Sequence, residues 1–155
     1  MFKKIICATD MNIKANPAIK KAVQLAHQFY SDIILLNVHE EFMTKEEMEM
    51  LRVRVGTIQE EFEKPAIQAK KEMKDILLSL HAEDVKVEFA IKAGKPQKVI
   101  CDEAARTNAD LIIMGTSSKP NISKLLLGTT ASYVIEHAKI PVLVVPLSIG
   151  NYKSA

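Results

Sequence analysis

Gly115 and Gly128 bracket the stretch of this chain that is richest in groups able to hold an anion. Gly115 directly follows an apolar run, Asp110 to Met114, and Gly128 stands directly before Thr129 and Thr130. Between the glycines lie Thr116, Ser117, Ser118, Lys119, Asn121 and Ser123, a dense set of hydroxyl, amide and ammonium groups. A glycine at either place lets backbone approach a ligand closely, because no Cβ stands in the way. Thr129 or Thr130 can cap a helix, and the unpaired N–H groups of a helix start favour negative charge. Together these features make a phosphate cradle. The same residues also fit an ordinary strand-to-helix connection whose glycines serve turns. No GxxxxGK[ST] run occurs, and no GxGxxG follows the first apolar run, so neither of those phosphate-binding motifs is present.

Other reactive residues point to less. His27, His39, His81 and His137 are scattered, and His39-Glu40-Glu41 is not HExxH, so no metal-ligand spacing is found. Cys7 and Cys101 form no CxxC pair and read as small buried hydrophobes in a reducing cytosol. Asp10 ends the first apolar run, where it serves either as a turn former or as a ligand group.

The elements that must position these residues alternate along the chain. Lys4 to Thr9 reads as a first strand. Asn16-Pro17 reads as a helix start, followed by Ile19, Ala22, Val23, Ala26 and Phe29 at helical spacing. The run Ile33-Ile34-Leu35-Leu36-Asn37-Val38 suits a parallel strand covered on both faces. Thr44 and Glu47 match a capping box, with Met43 and Met48 as its hydrophobic staple. Met48, Leu51, Val55, Ile58 and Phe62 form one stripe. Pro65 predicts a break or kink near Glu63-Lys64, and a second helix then carries Ala69, Met73, Ile76, Leu77 and Leu80 inward. The methionines of this region read as core filler. Val85 to Ile91 alternates as a third strand, and a helix follows from Pro96 to about Thr107. Asp110 to Met114 is a fourth strand. A helix then carries Ala131, Val134, Ile135 and Ala138, and Pro141 to Val145 is a fifth strand.

This alternation predicts an α/β three-layer sandwich, a five-stranded parallel sheet of Rossmann-like type with strand order 3-2-1-4-5. Such sheets take ligands outside the carboxyl ends of their strands. That edge carries Thr9 and Asp10, Val38 and His39, and Gly115. Residues 1–147 are expected to form one domain, with 148–155 as a loose tail.

Bulk composition narrows the partners. A chain of 155 residues, 48% hydrophobic and 26% charged, fits one ordinary globule. Its 21 basic and 19 acidic residues leave a net charge of +2, too small and interspersed for nucleic acid or an anionic membrane. No run of about 18 apolar residues occurs. Met1 to Ile6 reads as the start of a strand and not as a signal peptide.

From Phe2 to Pro146 the chain resembles the universal stress protein family. The resemblance is carried by Lys4-Ile5-Ile6-Cys7-Ala8-Thr9-Asp10, Leu36-Asn37-Val38-His39 and Lys92-Ala93-Gly94-Lys95-Pro96. It continues in Ala109-Asp110-Leu111-Ile112-Ile113-Met114-Gly115, Leu127-Gly128-Thr129-Thr130-Ala131 and Ile140-Pro141-Val142-Leu143-Val144-Val145-Pro146. It implies an adenine nucleotide α-hydrolase-like fold and a site for ATP or a related adenine nucleotide, with Mg²⁺ as a possible companion. The family's nucleotide binders share the pattern G-x2-G-x9-G-[ST]. Here Gly115 and Gly128-Thr129 match, but Ser118 replaces the middle glycine. If that place needs a positive φ, serine costs about 1 kcal/mol and its side chain crowds a phosphate. Serine could instead donate its hydroxyl to that phosphate.

By resemblance, Asp10 with Thr9 faces the nucleoside and Val38 lines the base pocket. Gly115, Ser118, Gly128, Thr129 and Thr130 surround ribose and phosphates. Lys119 reaches a phosphate or stays solvated. The implied function is a cytoplasmic nucleotide-binding module of stress response or signalling, with little or no turnover. The alternative, favoured by Ser118, is a nucleotide-free dimeric scaffold. A slow ATPase lacks a legible base or metal clamp, since Asp10 alone could hold Mg²⁺ only through water. An electron-transfer flavoprotein relative shares only the architecture. The fifth strand is an edge in the expected order. Its apolar Val142-Leu143-Val144-Val145 run needs cover, as a homodimer seam (which the family resemblance also implies) or under the tail or the 43–62 helix.

Overall fold

A computed structural model describes residues 1–9, 17–40, 55–116 and 127–146, with side chains of the second helix described from residue 66 onward. The elements in chain order are β1 (Lys4–Thr9), α1 (Pro17–Phe29), β2 (Asp32–His39), α2 (Val55–Ser79) and β3 (Val87–Ala93). They continue with α3 (Pro96–Thr107), β4 (Leu111–Gly115), α4 (Thr129–His137) and β5 (Val142–Val145). All strand pairs are parallel, in the order β3-β2-β1-β4-β5, as the alternation predicts.

The two faces follow from the period of two along each strand. Ile5, Cys7, Ile33, Leu35, Leu111 and Ile113 point to one face, where Ala18, Ile19, Ala22, Val23 and Ala26 of α1 and Met73 and Leu77 of α2 cover them. Ile6, Ile34, Leu36, Ile112 and Met114 point to the other, against Ile100 and Ala104 of α3 and Ala131 and Val134 of α4. Successive residues through the middle of these strands, Ile5–Cys7, Ile33–Leu36 and Leu111–Met114, are therefore all apolar because both faces are covered. Among the described residues no helix is long and apolar enough to cross a membrane.

Four expectations are corrected. First, α2 runs unbroken from Val55 to Ser79 through Pro65, so the predicted division into two helices does not occur. Proline removes one backbone hydrogen bond. Burial of Ala69, Met73 and Leu77, with Ile76 and Leu80 packed beside them, outweighs that loss. Second, β3 begins at Val87 and not at Val85. The Val85 N–H donates to the Ala82 carbonyl at 3.1 Å, which keeps Val85 in the preceding turn, and Val87 is the first residue paired with β2. Third, neither Thr129 nor Thr130 caps α4: Gly128 holds the cap position and no side chain bonds there. Fourth, Cys7 is fully buried as expected, but Cys101 is only half-buried. The predicted caps Asn16 and Thr44-Glu47, the Met43–Met48 staple and the 48–62 stripe lie outside the described residues or side chains.

Three of the four helices end alike, whereas α4 ends at Ala138 with φ −67°. Tyr30, His81 and Asn108 follow α1, α2 and α3 and have φ of 55°, 52° and 53°, a left-handed conformation in non-glycine residues. Asn108 closes α3 with N–H bonds back to Ala104 and Ala105.

Candidate functional site

Strand register brings Thr9, Val38 and Gly115, among the expected site residues, to one edge. Thr9 of β1 lies opposite Asn37 of β2, and Ala8 lies opposite Met114 of β4, so Thr9 and Gly115 end adjacent strands. The switch of winding direction falls between these two strands, since β2 and β3 lie to one side of β1 and β4 and β5 to the other.

Thr9 is buried, and its carbonyl accepts a hydrogen bond of 2.9 Å from the Asn37 side-chain Nδ2. Val38 is half-buried and packs with the α3–α4 cluster, on the sheet face opposite to Thr9 and Asn37. The His39 carbonyl accepts from the Gly94 N–H at 2.9 Å, which ties the end of β2 to the turn after β3. Gly94 has φ 138°, and a Cβ there would stand 3.0 Å from Val99 Cγ2.

The two loop glycines play different parts. Gly115 lies within β4, paired with Val145, and is not among the glycines of positive φ. Gly128 has φ 83° and ψ 162°. That region is open to glycine and strained for any other residue. Its carbonyl accepts from the Ser132 N–H at 3.1 Å and from Ser132 Oγ at 2.8 Å, so the turn is pinned to the first helical coil. Thr129 is exposed and Thr130 half-buried, as the first two residues of α4. Because α4 leads into a parallel β5, its N-terminus belongs to the same carboxyl edge as Thr9 and Gly115. That end carries the positive pole of the helix. Asp10, Ser118 and Lys119 lie outside the described residues.

Asn37 was not singled out by sequence reasoning. It is 3% exposed, and its Oδ1 is buried with no hydrogen-bond partner among the described residues. The signal was available, for Asn37 is the polar residue in the otherwise apolar Ile33–Val38 run.

Of the two thiols, burial pushes Cys7 up to about 12, which removes it as a nucleophile. Burial, and then the neighbouring Asp102 carboxylate, also raise Cys101.

A five-stranded parallel sheet wound both ways from β1, with helices on both faces, defines a Rossmann-like domain. The chain matches the model of the universal stress protein family over residues 1–146 and belongs to that family. The universal stress protein MJ0577 of Methanocaldococcus jannaschii is 33% identical over 94% of this chain and 95% of its own length. The solved structure of MJ0577 superposes with a TM-score of 0.75 at 30% identity, covering 96% of this chain and 98% of that one. Universal stress protein UspA from Lactobacillus plantarum shares the fold, with a TM-score of 0.74 at 23% identity over 93% of this chain and 97% of its own. A universal stress protein solved in complex with cAMP shares it as well, with a TM-score of 0.68 at 20% identity over 95% and 98% of the two chains.

Proposed function

We propose that this chain binds an adenine nucleotide, ATP or a close relative, at the carboxyl edge of its sheet. It then acts as a cytoplasmic binding module of stress response or signalling, with little or no turnover. The observation that carries this reading is Gly128, held at φ 83° directly before the uncapped start of α4 at the winding switch. A glycine-only turn feeding a helix N-terminus suits a phosphate. In this reading Gly115, Ser118, Lys119, Gly128, Thr129 and Thr130 surround ribose and phosphates. Thr9 and Asp10 face the nucleoside, Val38 lines the base, and Asp10 holds any Mg²⁺ through water. Support from relatives is one of fold: in one protein of this architecture the ligand is cAMP, itself an adenine nucleotide.

Bound nucleotide measured after gentle purification, followed by calorimetric titration with ATP and Mg²⁺, tests the reading. Binding below millimolar concentration is expected, and no heat at millimolar ATP would overturn it. That outcome favours the second reading, a nucleotide-free dimeric scaffold, which Ser118 in place of the motif's middle glycine supports. Ser118→Gly separates the two accounts of this serine: tighter ATP binding means crowding, and weaker binding means a hydroxyl contact.

Both readings include a homodimer through β5. All four residues of that strand are half-buried at the sheet edge, an apolar edge that a second copy would cover. Sedimentation of the parent as a dimer and of Val144→Lys as a monomer is the expected result.

A further inference from the structure

Among the described residues β3 closes one side of the sheet, with β2 as its single neighbour. Its backbone groups divide by parity. The Ile33 N–H donates to the Lys86 carbonyl at 2.9 Å, and the Gly94 N–H donates to the His39 carbonyl at 2.9 Å. Even-numbered residues of β3 therefore face β2, while Val87, Phe89 and Ile91 turn their N–H and C=O groups outward. No described residue bonds to them there. An open row of this kind pairs readily with another extended chain, so a protein either shields it or uses it.

The side chains of the same three residues lie on the sheet face that α2 covers. There the Nζ atoms of Lys70 and Lys74 each stand 6.0 Å from the centroid of the Phe89 ring. That is the outer limit of a cation–π attraction, so the ring neutralises neither charge. Both lysines are exposed, and neither enters an ion pair among the described residues. Standing one helical turn apart, they repel each other. Glu72, the acid between them in sequence, is engaged by the Gln68 amide at 2.9 Å. Ile67, three residues before Lys70, is 72% exposed. The α2 side of the open edge thus carries two uncompensated positive charges and a bare aliphatic side chain.

We infer that the open edge of β3 docks an extended acidic segment of a partner protein, which joins the sheet as a sixth strand. The outward groups of Val87, Phe89 and Ile91 supply the ladder. A strand added there lies about 4.8 Å beyond β3. Its residues on the α2 face, opposite Phe89 and two positions to either side, come within reach of Lys70 and Lys74. Carboxylates at those alternate positions offset the lysine charges and relieve their repulsion. The same charges disfavour a second copy of this chain as the occupant. Two copies paired edge to edge about an axis normal to the sheet would crowd four ammonium groups onto one face. On the opposite face Glu88 and Lys92 carry opposite charges, so selection for acid rests with α2.

Amide hydrogen exchange of the full chain, read residue by residue by NMR, tests the inference with two probes. One is a blocked octapeptide of alternating glutamate and valine, and the other is its lysine–valine counterpart. In the free protein the Phe89 and Ile91 amides should exchange at least about tenfold faster than those of Glu88 and Ala90, which face β2. The glutamate–valine peptide should slow Phe89 and Ile91 by about tenfold or more, and the lysine–valine peptide should leave them unchanged. Added salt should weaken the effect. Lys70→Glu combined with Lys74→Glu alters two exposed side chains and should weaken binding of the glutamate–valine peptide about tenfold or more. Protection of Phe89 and Ile91 in the free protein would overturn the inference, because the edge would already be covered, by the chain itself or, if protection grows with protein concentration, by a second copy. Equal responses to the two peptides, no response to either, or an affinity that survives the charge reversal would overturn it as well.

Discussion

Replacing Gly128 with alanine isolates the backbone conformation on which the proposed phosphate site depends. At φ 83° and ψ 162° an L-residue is strained by about 1–3 kcal/mol. Alanine recovers about 0.4–1 kcal/mol by lowering the entropy of the unfolded chain. The net destabilisation is therefore about 1–2 kcal/mol. Relaxation offers no easy escape. The Gly128 carbonyl accepts two bonds from Ser132, and turning it away would forfeit the first bond of α4. With a urea slope of about 2 kcal/mol per molar, the unfolding midpoint should fall by about 0.5–1 M with the slope unchanged. Gly115→Ala is the matched control, because Gly115 sits in β4 without a positive φ. Its midpoint should move by less than half as much. A Gly128→Ala midpoint equal to that of the parent, or of Gly115→Ala, would refute the reasoning.

Three further outcomes are expected. Met73 is fully buried between α2 and the sheet, so Met73→Ala should leave a cavity and lower stability by about 2–5 kcal/mol in urea melts, with the fold retained by circular dichroism. The buried Glu103 carboxylate takes bonds from Arg106 Nε at 3.0 Å and from its terminal nitrogen at 2.5 Å, and chiefly this holds its pKa below the ordinary 4.5. A depressed carboxylate stabilises the fold above its unfolded-state pKa and loses that contribution as pH falls through the folded value. Melting temperature should therefore fall more steeply below pH 4.5 in the parent than in Glu103→Gln, and parallel curves would contradict the assignment. Finally, a thiol reagent should label half-buried Cys101 in the folded protein and spare Cys7, whose labelling should track global unfolding.

The sheet was legible because parallel strands covered on both faces cannot hide: Ile5-Ile6-Cys7 and Ile33 to Leu36 are apolar at every step. Edges of elements were harder to read. Val85 is as apolar as its neighbours and continues the alternation of β3, but its N–H is taken by the Ala82 carbonyl, a bond that periodicity cannot reveal. Pro65 carries a strong local preference that tertiary burial of the Ala69–Leu77 stripe overrides. At the site, Gly128 was legible as a glycine but its special backbone was not distinguishable from that of Gly115. The half-satisfied amide of Asn37 depends on the register of β2 against β1, which the sequence does not display.

Tyr30, His81 and Asn108 put non-glycine residues in left-handed geometry where helices hand over to the next strand. In a parallel sheet every such handover lies at the amino rim, the far end of the molecule from Thr9, Gly115 and Gly128. Tyr30, which is 94% exposed, could give way to glycine with relief of backbone strain and little loss of packing. Robustness and the proposed nucleotide site thus lie at opposite poles, and a sturdier version of this protein could be engineered without touching the carboxyl edge.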